Sequence, residues 1–173
     1  MRPIYPVEFL AAVARVLKDE GGFVDNAADP GGATKFGISQ RSYPNLDIRN
    51  LTRDGAIEIY FRDWWTHFRF GDLPSGIAAK VFDLAVNMGA AHATICLQRA
   101  LRACGRAIED DGILGEETIR SAAATVNFSR EPVETSALMA ALRSEAAGYY
   151  RALAAHDERS DEFLRGWLNR AYE

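Results

Sequence analysis

Three side chains between residues 20 and 34 are spaced to do acid–base chemistry together: Glu20, Asp29 and Thr34. Phe9, Val13, Val16 and Leu17 recur at helical spacing, and Glu20 falls next on the same stripe. The spacing therefore predicts a carboxylate delivered to an apolar face at a helix C-terminus. Desolvation disfavours its anion, and the negative end of the helix dipole acts in the same direction, so its pKa is expected to rise. A carboxylic acid that keeps its proton near neutral pH can work as a general acid. The plainer alternative is a terminal glutamate facing water beside the helix-ending Gly21 and Gly22. Asp29-Pro30-Gly31-Gly32 has Pro and Gly in the order of a type II turn, which would fold the chain back over the helix end as a loop or hairpin lobe. That fold-back brings Asp29 and Thr34 towards Glu20. Read alone, Asp29 is equally a turn-capping aspartate, and Thr34 a β-branched residue suited to a short strand.

The elements that must position these groups read as mostly helical. A first helix is expected over residues 7–19, with Pro6 at its start. Residues 39–43 suggest a short helical segment stopped by Pro44. Thr52 is an apt N-cap for a helix over residues 53–68, whose inward stripe would be Ala56, Ile57, Tyr60, Phe61 and Trp64. Trp65 falls off that stripe, as a core-edge aromatic or as a stacking platform at a cleft rim. A helix over residues 76–88, capped by Ser75 and ended by Gly89, is apolar nearly all round and so belongs in the middle of a domain. Its polar exceptions, Lys80, Asp83 and Asn87, share one narrow face. An unpaired buried Asp is costly, so this face either ties helices through an Arg or Lys partner or lines a ligand cleft.

Further helices are expected over residues 91–104, with Ile95, Leu97 and Leu101 in the core, and near 116–124. Gln98 is placed to hydrogen-bond across to the lobe. A long helix from about residue 132 carries Leu138, Leu142, Tyr149, Tyr150 and Leu153. A last element over 163–172 would dock Phe163 and Trp167.

The run EGGFVDNAADPGGATKFGIS at residues 20–39 resembles the signature of glycoside hydrolase family 108, the N-acetylmuramidases that cut the glycan strand of peptidoglycan. Its layout is also similar to the Glu, Asp, Thr arrangement of phage lysozymes, with a slightly shorter step from Asp29 to Thr34. The likeness continues through LTRDGAIEIYFRDWW, FDLAVNMG, LQRAL, DGILGEETI and GWLNR, and so spans nearly the whole chain. The resemblance implies a mainly α, lysozyme-like helical domain with a small Gly-rich loop or hairpin lobe at the active site. It implies Glu20 as the catalytic acid for the β-1,4 bond between N-acetylmuramic acid and N-acetylglucosamine. Asp29 is the first candidate for a second carboxylate, with Asp25 behind it. Carboxyls about 5–5.5 Å apart would give retention, and about 6.5–9.5 Å inversion. Asp25, Trp65, Asp83, Asn87 and Gln98 are the expected substrate-binding residues, Asp83 and Asn87 because family members carry a matching Asp and Asn. Two rival readings share these features: a lytic transglycosylase, which leaves a 1,6-anhydro end, and a non-catalytic wall-binding or secretion-assisting module.

Composition sets the remaining bounds. A chain of 173 residues can bury a core of its own. It reads as one continuous domain, with a catalytic half over 1–90 and a helical half over 91–173 that resembles a peptidoglycan-binding region. A net charge of −4 gives no reason to expect nucleic acid. No run approaches the roughly 20 apolar residues needed to span a bilayer, so no stable membrane insertion is expected. Cys96 and Cys104 lie about 12 Å apart along one predicted helix, too far to bridge, and read as free thiols. His67, His92 and His156 are scattered, so neither a metal nor a cofactor is expected. The opening MRPIYPVEFL does not read as a secretory leader. The expectation is a monomer made in the cytoplasm and acting at the wall, with a phage holin or a dedicated export route to release it. A phage endolysin and a bacterial wall-remodelling enzyme fit the sequence equally.

Overall fold

The computed structural model describes residues 4–19, 23, 33–129, 132–133, 136–156 and 161–173. Two compact units divide the chain, Met1–Arg69 and Phe70–Glu173.

The first unit is built on α1 (Val7–Asp19), whose first turn carries Glu8 at the positive end of the helix dipole. Phe9, Ala12, Val13, Val16 and Leu17 are all buried, so the predicted stripe is the face that packs. Fully burying an aliphatic or aromatic side chain stabilises by about 1.5–3 kcal/mol, which makes this stripe the main anchor of the helix. A two-stranded hairpin follows, β1 (Thr34–Lys35) and β2 (Ile38–Ser39), paired antiparallel as Thr34 with Ser39 and Lys35 with Ile38. Residues 40–50 form successive turns rather than the short helix expected at 39–43. The Gln40 side chain explains the preference, since its amide donates to the carbonyls of Tyr43, Pro44 and Leu46 and holds the chain in a bend.

Thr52 caps α2 (Arg53–Ile59) as expected, its hydroxyl accepting from the Gly55 amide at 3.1 Å. The helix does not continue in α geometry to Phe68. Residues Tyr60–Thr66 form a π-helical segment, a wider turn that is rare in proteins. Widening the turn moves the inward face, so Trp65 becomes buried while Phe61 and Trp64 are only half-buried. Phe9 then packs against both Phe61 and Trp65, with ring centroids 5.0 and 5.5 Å away.

The second unit is a helical assembly of α3 (Ser75–Met88), α4 (Ala90–Ala103), α5 (Glu116–Ser129), α6 (Ala137–His156) and α7 (Asp161–Tyr172). Helix α4 packs on α3 and α6, and α7 packs on α6. Ser75 is the first residue of α3 and makes no side-chain cap; Pro74 precedes it. Gly89, at φ 88°, ends α3 and turns directly into α4. Helix α5 runs to Ser129, beyond the expected end at 124. Helix α6 starts later than expected, where the buried Ser136 hydroxyl accepts from the Met139 amide. Both cysteines are free, Cys96 buried and Cys104 half-buried. Among the described residues, no helix is long and apolar enough to cross a membrane.

Helix α3 is buried on most of its surface, including Lys80. Its polar face is met by α6 and α7. Asp83 pairs with Arg170 at 3.4 Å, Lys80 donates to the Arg170 carbonyl, and the Tyr150 hydroxyl donates to the Asn87 side chain at 2.7 Å. Burial drives the Lys80 pKa down to about 8 from its ordinary 10.5, while the Asp83 carboxylate opposes the drop. Between about pH 8 and 10.5 the unfolded chain therefore holds a proton that the folded chain has lost, and this group makes stability rise with pH across that window. Lys80→Met is expected to remove that rise. Melting temperatures of both proteins, followed by circular dichroism across the window, check it; parallel pH curves would contradict it.

Candidate active site

Glu20, Asp25 and Asp29 lie outside the described residues. Their approach is described: α1 stays helical to Asp19, and its buried stripe reaches Leu17, so Glu20 is the residue that follows directly. Thr34 is half-buried in β1.

The hairpin that carries Thr34 turns on Phe36 and Gly37, both with positive φ, at 54° and 74°. A two-residue hairpin loop of type I′ requires this sign at both central positions, and glycine meets the requirement at no steric cost. Phe36 does not, because a side chain strains this region. The strain is offset from just beyond α2: the Tyr60 hydroxyl donates to the Phe36 carbonyl at 2.9 Å, and Tyr60 itself is buried. Lys35 adds a second tie, donating to the Arg49 carbonyl at 2.8 Å. Arg49 in turn lies over the Phe23 ring at 4.8 Å, which links the turn region to the start of the glycine-rich stretch. Further along, the Tyr43 hydroxyl donates to Asp63 at 3.0 Å, and Arg62 pairs with the same carboxylate. The Arg62 bond and the Tyr43 hydroxyl hold the Asp63 pKa below the usual carboxylate range, so Asp63 stays an anion and does not serve as an acid.

Local sequence does not single out these supports. Gly37 is the available signal for the turn, but nothing nearby in the chain shows that Tyr60 reaches back to it.

Four expected substrate-binding residues, Trp65, Asp83, Asn87 and Gln98, have partners within the structure. Trp65 is 5% exposed and packs on Phe9, so it offers no open ring face for a sugar and is a core aromatic. Asp83 and Asn87 are engaged with Arg170 and Tyr150, which is the helix-tying alternative for that face. A carboxylate 13% exposed needs a partner of opposite charge, and α7 supplies it. Gln98, 1% exposed, finds its partners within the second unit rather than in the lobe. Its amide donates to Asp111, the Ile113 carbonyl and Thr118, and its oxygen accepts from the Gly112 amide at 3.0 Å. Gly112 sits at φ 75°, where an added Cβ would come within 3.2 Å of the Ala91 carbonyl. Gln98 therefore pins the loop between α4 and α5 to α4 itself.

Among the described residues no group of His, Cys, Asp and Glu is placed to hold a metal.

Known families divide the chain where α3 gives way to α4. Residues 13–89 match the family described as glycosyl hydrolase 108, and residues 92–172 match that described as a predicted peptidoglycan domain. The solved structure of Brucella abortus SagA is 26% identical, covers 94% of this chain and 88% of its own, and superposes with a TM-score of 0.73. The fold is thus mainly α and lysozyme-like. No curated protein matches the chain.

Two substitutions test the supports. Tyr60→Phe is expected to cost about 1 kcal/mol and to speed amide exchange at Lys35 and Ile38, since the strained turn loses its outside bond. Gln98→Ala is expected to cost about 2 kcal/mol by stranding the Gly112 amide, with faster exchange at Gly112 and Ile113 and none of that change in the hairpin. Hydrogen exchange read by NMR distinguishes the two; unchanged exchange at the named amides would contradict these roles.

Proposed function

From the match of residues 13–89 to the family described as glycosyl hydrolase 108 and of residues 92–172 to that described as a predicted peptidoglycan domain, we propose that the chain is a muramidase. On this reading it hydrolyses the β-1,4 bond between N-acetylmuramic acid and N-acetylglucosamine. The observation that carries the reading is α1. Its buried stripe runs unbroken to Leu17 and its helix to Asp19, and the glutamate of the Glu-Gly-Gly motif comes next in the chain.

Glu20 acts as the general acid. Its proton passes to the glycosidic oxygen as the bond to the anomeric carbon breaks, and the leaving sugar departs as an alcohol rather than an alkoxide. Water adds its oxygen to the anomeric carbon, and the proton it releases returns to a carboxylate. Asp29 is the first candidate for the second carboxylate and Asp25 the next, and Thr34 supplies a hydroxyl from the hairpin side. The hydrolysed strand ends in a reducing sugar. A transglycosylase would close the same intermediate internally and add no water. The place of action is the peptidoglycan layer.

Glu20→Gln is expected to lower the rate of glycan cleavage by about 10²–10⁴-fold, the usual worth of a positioned acid, with unchanged far-UV circular dichroism. Mass spectrometry of a wild-type digest is expected to show hydrated reducing ends. Near wild-type lysis by the variant would overturn the assignment of Glu20, and 1,6-anhydro ends would overturn hydrolysis.

A further inference from the structure

The second unit carries a set of rings that bond cleavage does not use. On α7, Phe163 and Trp167 stand one helical turn apart, their planes within 29° and their centroids 6.0 Å apart. Trp167 stacks in turn on Tyr150 of α6, at 5.5 Å and 23°. Tyr150 meets Tyr149 edge-on at 5.7 Å, and Tyr149 lies 4.9 Å from the His92 ring of α4. The middle of this ladder is dry and its ends are open. Tyr150 is buried, Trp167 and Tyr149 are half-buried, His92 is exposed, and Phe163 is 53% exposed.

A single exposed phenylalanine needs no explanation. What distinguishes Phe163 is that its ring is held in orientation. It lies nearly parallel to Trp167, Trp167 is stacked on Tyr150, and the Tyr150 hydroxyl is fixed on Asn87 of α3. The open aromatic surface is thus presented in one geometry, and little side-chain entropy remains to be lost on binding. The surface is also a narrow row of rings, whereas a protein partner is recognised through roughly 800 Å² on each side. A narrow, rigid aromatic row suits a ligand that is flat, apolar on one side and hydroxylated at its rim, and the C–H face of a pyranose is such a ligand. Residues 92–172, which hold the whole ladder, match the peptidoglycan domain. Of that polymer's two parts, only the glycan strand has pyranose faces; the stem peptide calls for charges and backbone hydrogen bonds.

We propose that Phe163, backed by Trp167, is a stacking platform for the glycan strand, so that the second unit holds polymer independently of the residues that cleave it. The proposal rests on the peptidoglycan reading above.

Binding is measured by titration calorimetry on the full chain carrying Glu20→Gln, with glycan strands stripped of their stem peptides as the probe. Phe163→Ala is expected to weaken binding by about tenfold, the scale of one lost aromatic contact, with unchanged far-UV circular dichroism. Phe163→Tyr is expected to bind like the parent, and Phe163→Leu like the alanine variant. If the parent binds the strands and Phe163→Ala or Phe163→Leu binds equally well, the platform is overturned and the peptidoglycan reading stands. If the parent binds whole sacculi but not stripped strands, the platform is likewise overturned. If it binds neither, both fall.

Discussion

The first unit depends on one packing contact, that of α1 against the π-helical segment after α2. Phe9 is completely buried, and its ring meets Tyr5, Phe61 and Trp65 at centroid distances of 5.5, 5.0 and 5.5 Å. Tilted ring pairs of this kind add to area burial and also favour particular mutual orientations. The contact therefore fixes the rotation of α1 about its own axis as well as its position. On the proposed reading Glu20 acts as an acid, and such a role calls for a firmly held helix upstream, because the proton affinity of a carboxyl depends on whether it is turned to water or to apolar neighbours.

The hairpin depends on the same segment. A positive φ at Phe36 is unfavourable by itself, and the buried Tyr60 hydroxyl maintains it. Tyr60 belongs to the π-helical segment that also carries Trp65. One irregular turn therefore places Trp65 against α1 and Tyr60 against the hairpin. An ordinary α turn would place Trp64 on the inward stripe and Trp65 off it. π turns recur at functional sites, and here the function is alignment of two elements that flank the glycine-rich stretch.

Some of this is legible in the sequence. Phe9, Val13, Val16 and Leu17 repeat at helical spacing, and burial follows that spacing closely. Thr52 announces the start of α2 through its chemistry alone. Helical arithmetic misplaces Trp65 because it assumes a constant turn, and a widened turn shifts each later residue around the axis. The polar residues of α3 are recognisable as needing partners, but local pattern does not say which. Lys80, Asp83 and Asn87 find theirs in Arg170 and Tyr150, far along the chain on α6 and α7. Gln98 reads as reaching for the lobe, whereas its four-way bonding holds Gly112 at a positive φ beside α4. Local pattern reveals which residues face inward; long-range pairing decides what they do there.

Titration of the Glu20 carboxyl itself, followed by carbon-13 NMR in selectively labelled protein, reads the proposed general acid directly. Glu20 is expected to give up its proton at a distinctly higher pH than an ordinary glutamate, whose pKa is about 4.3. Titration of Glu20 at that ordinary value would contradict it.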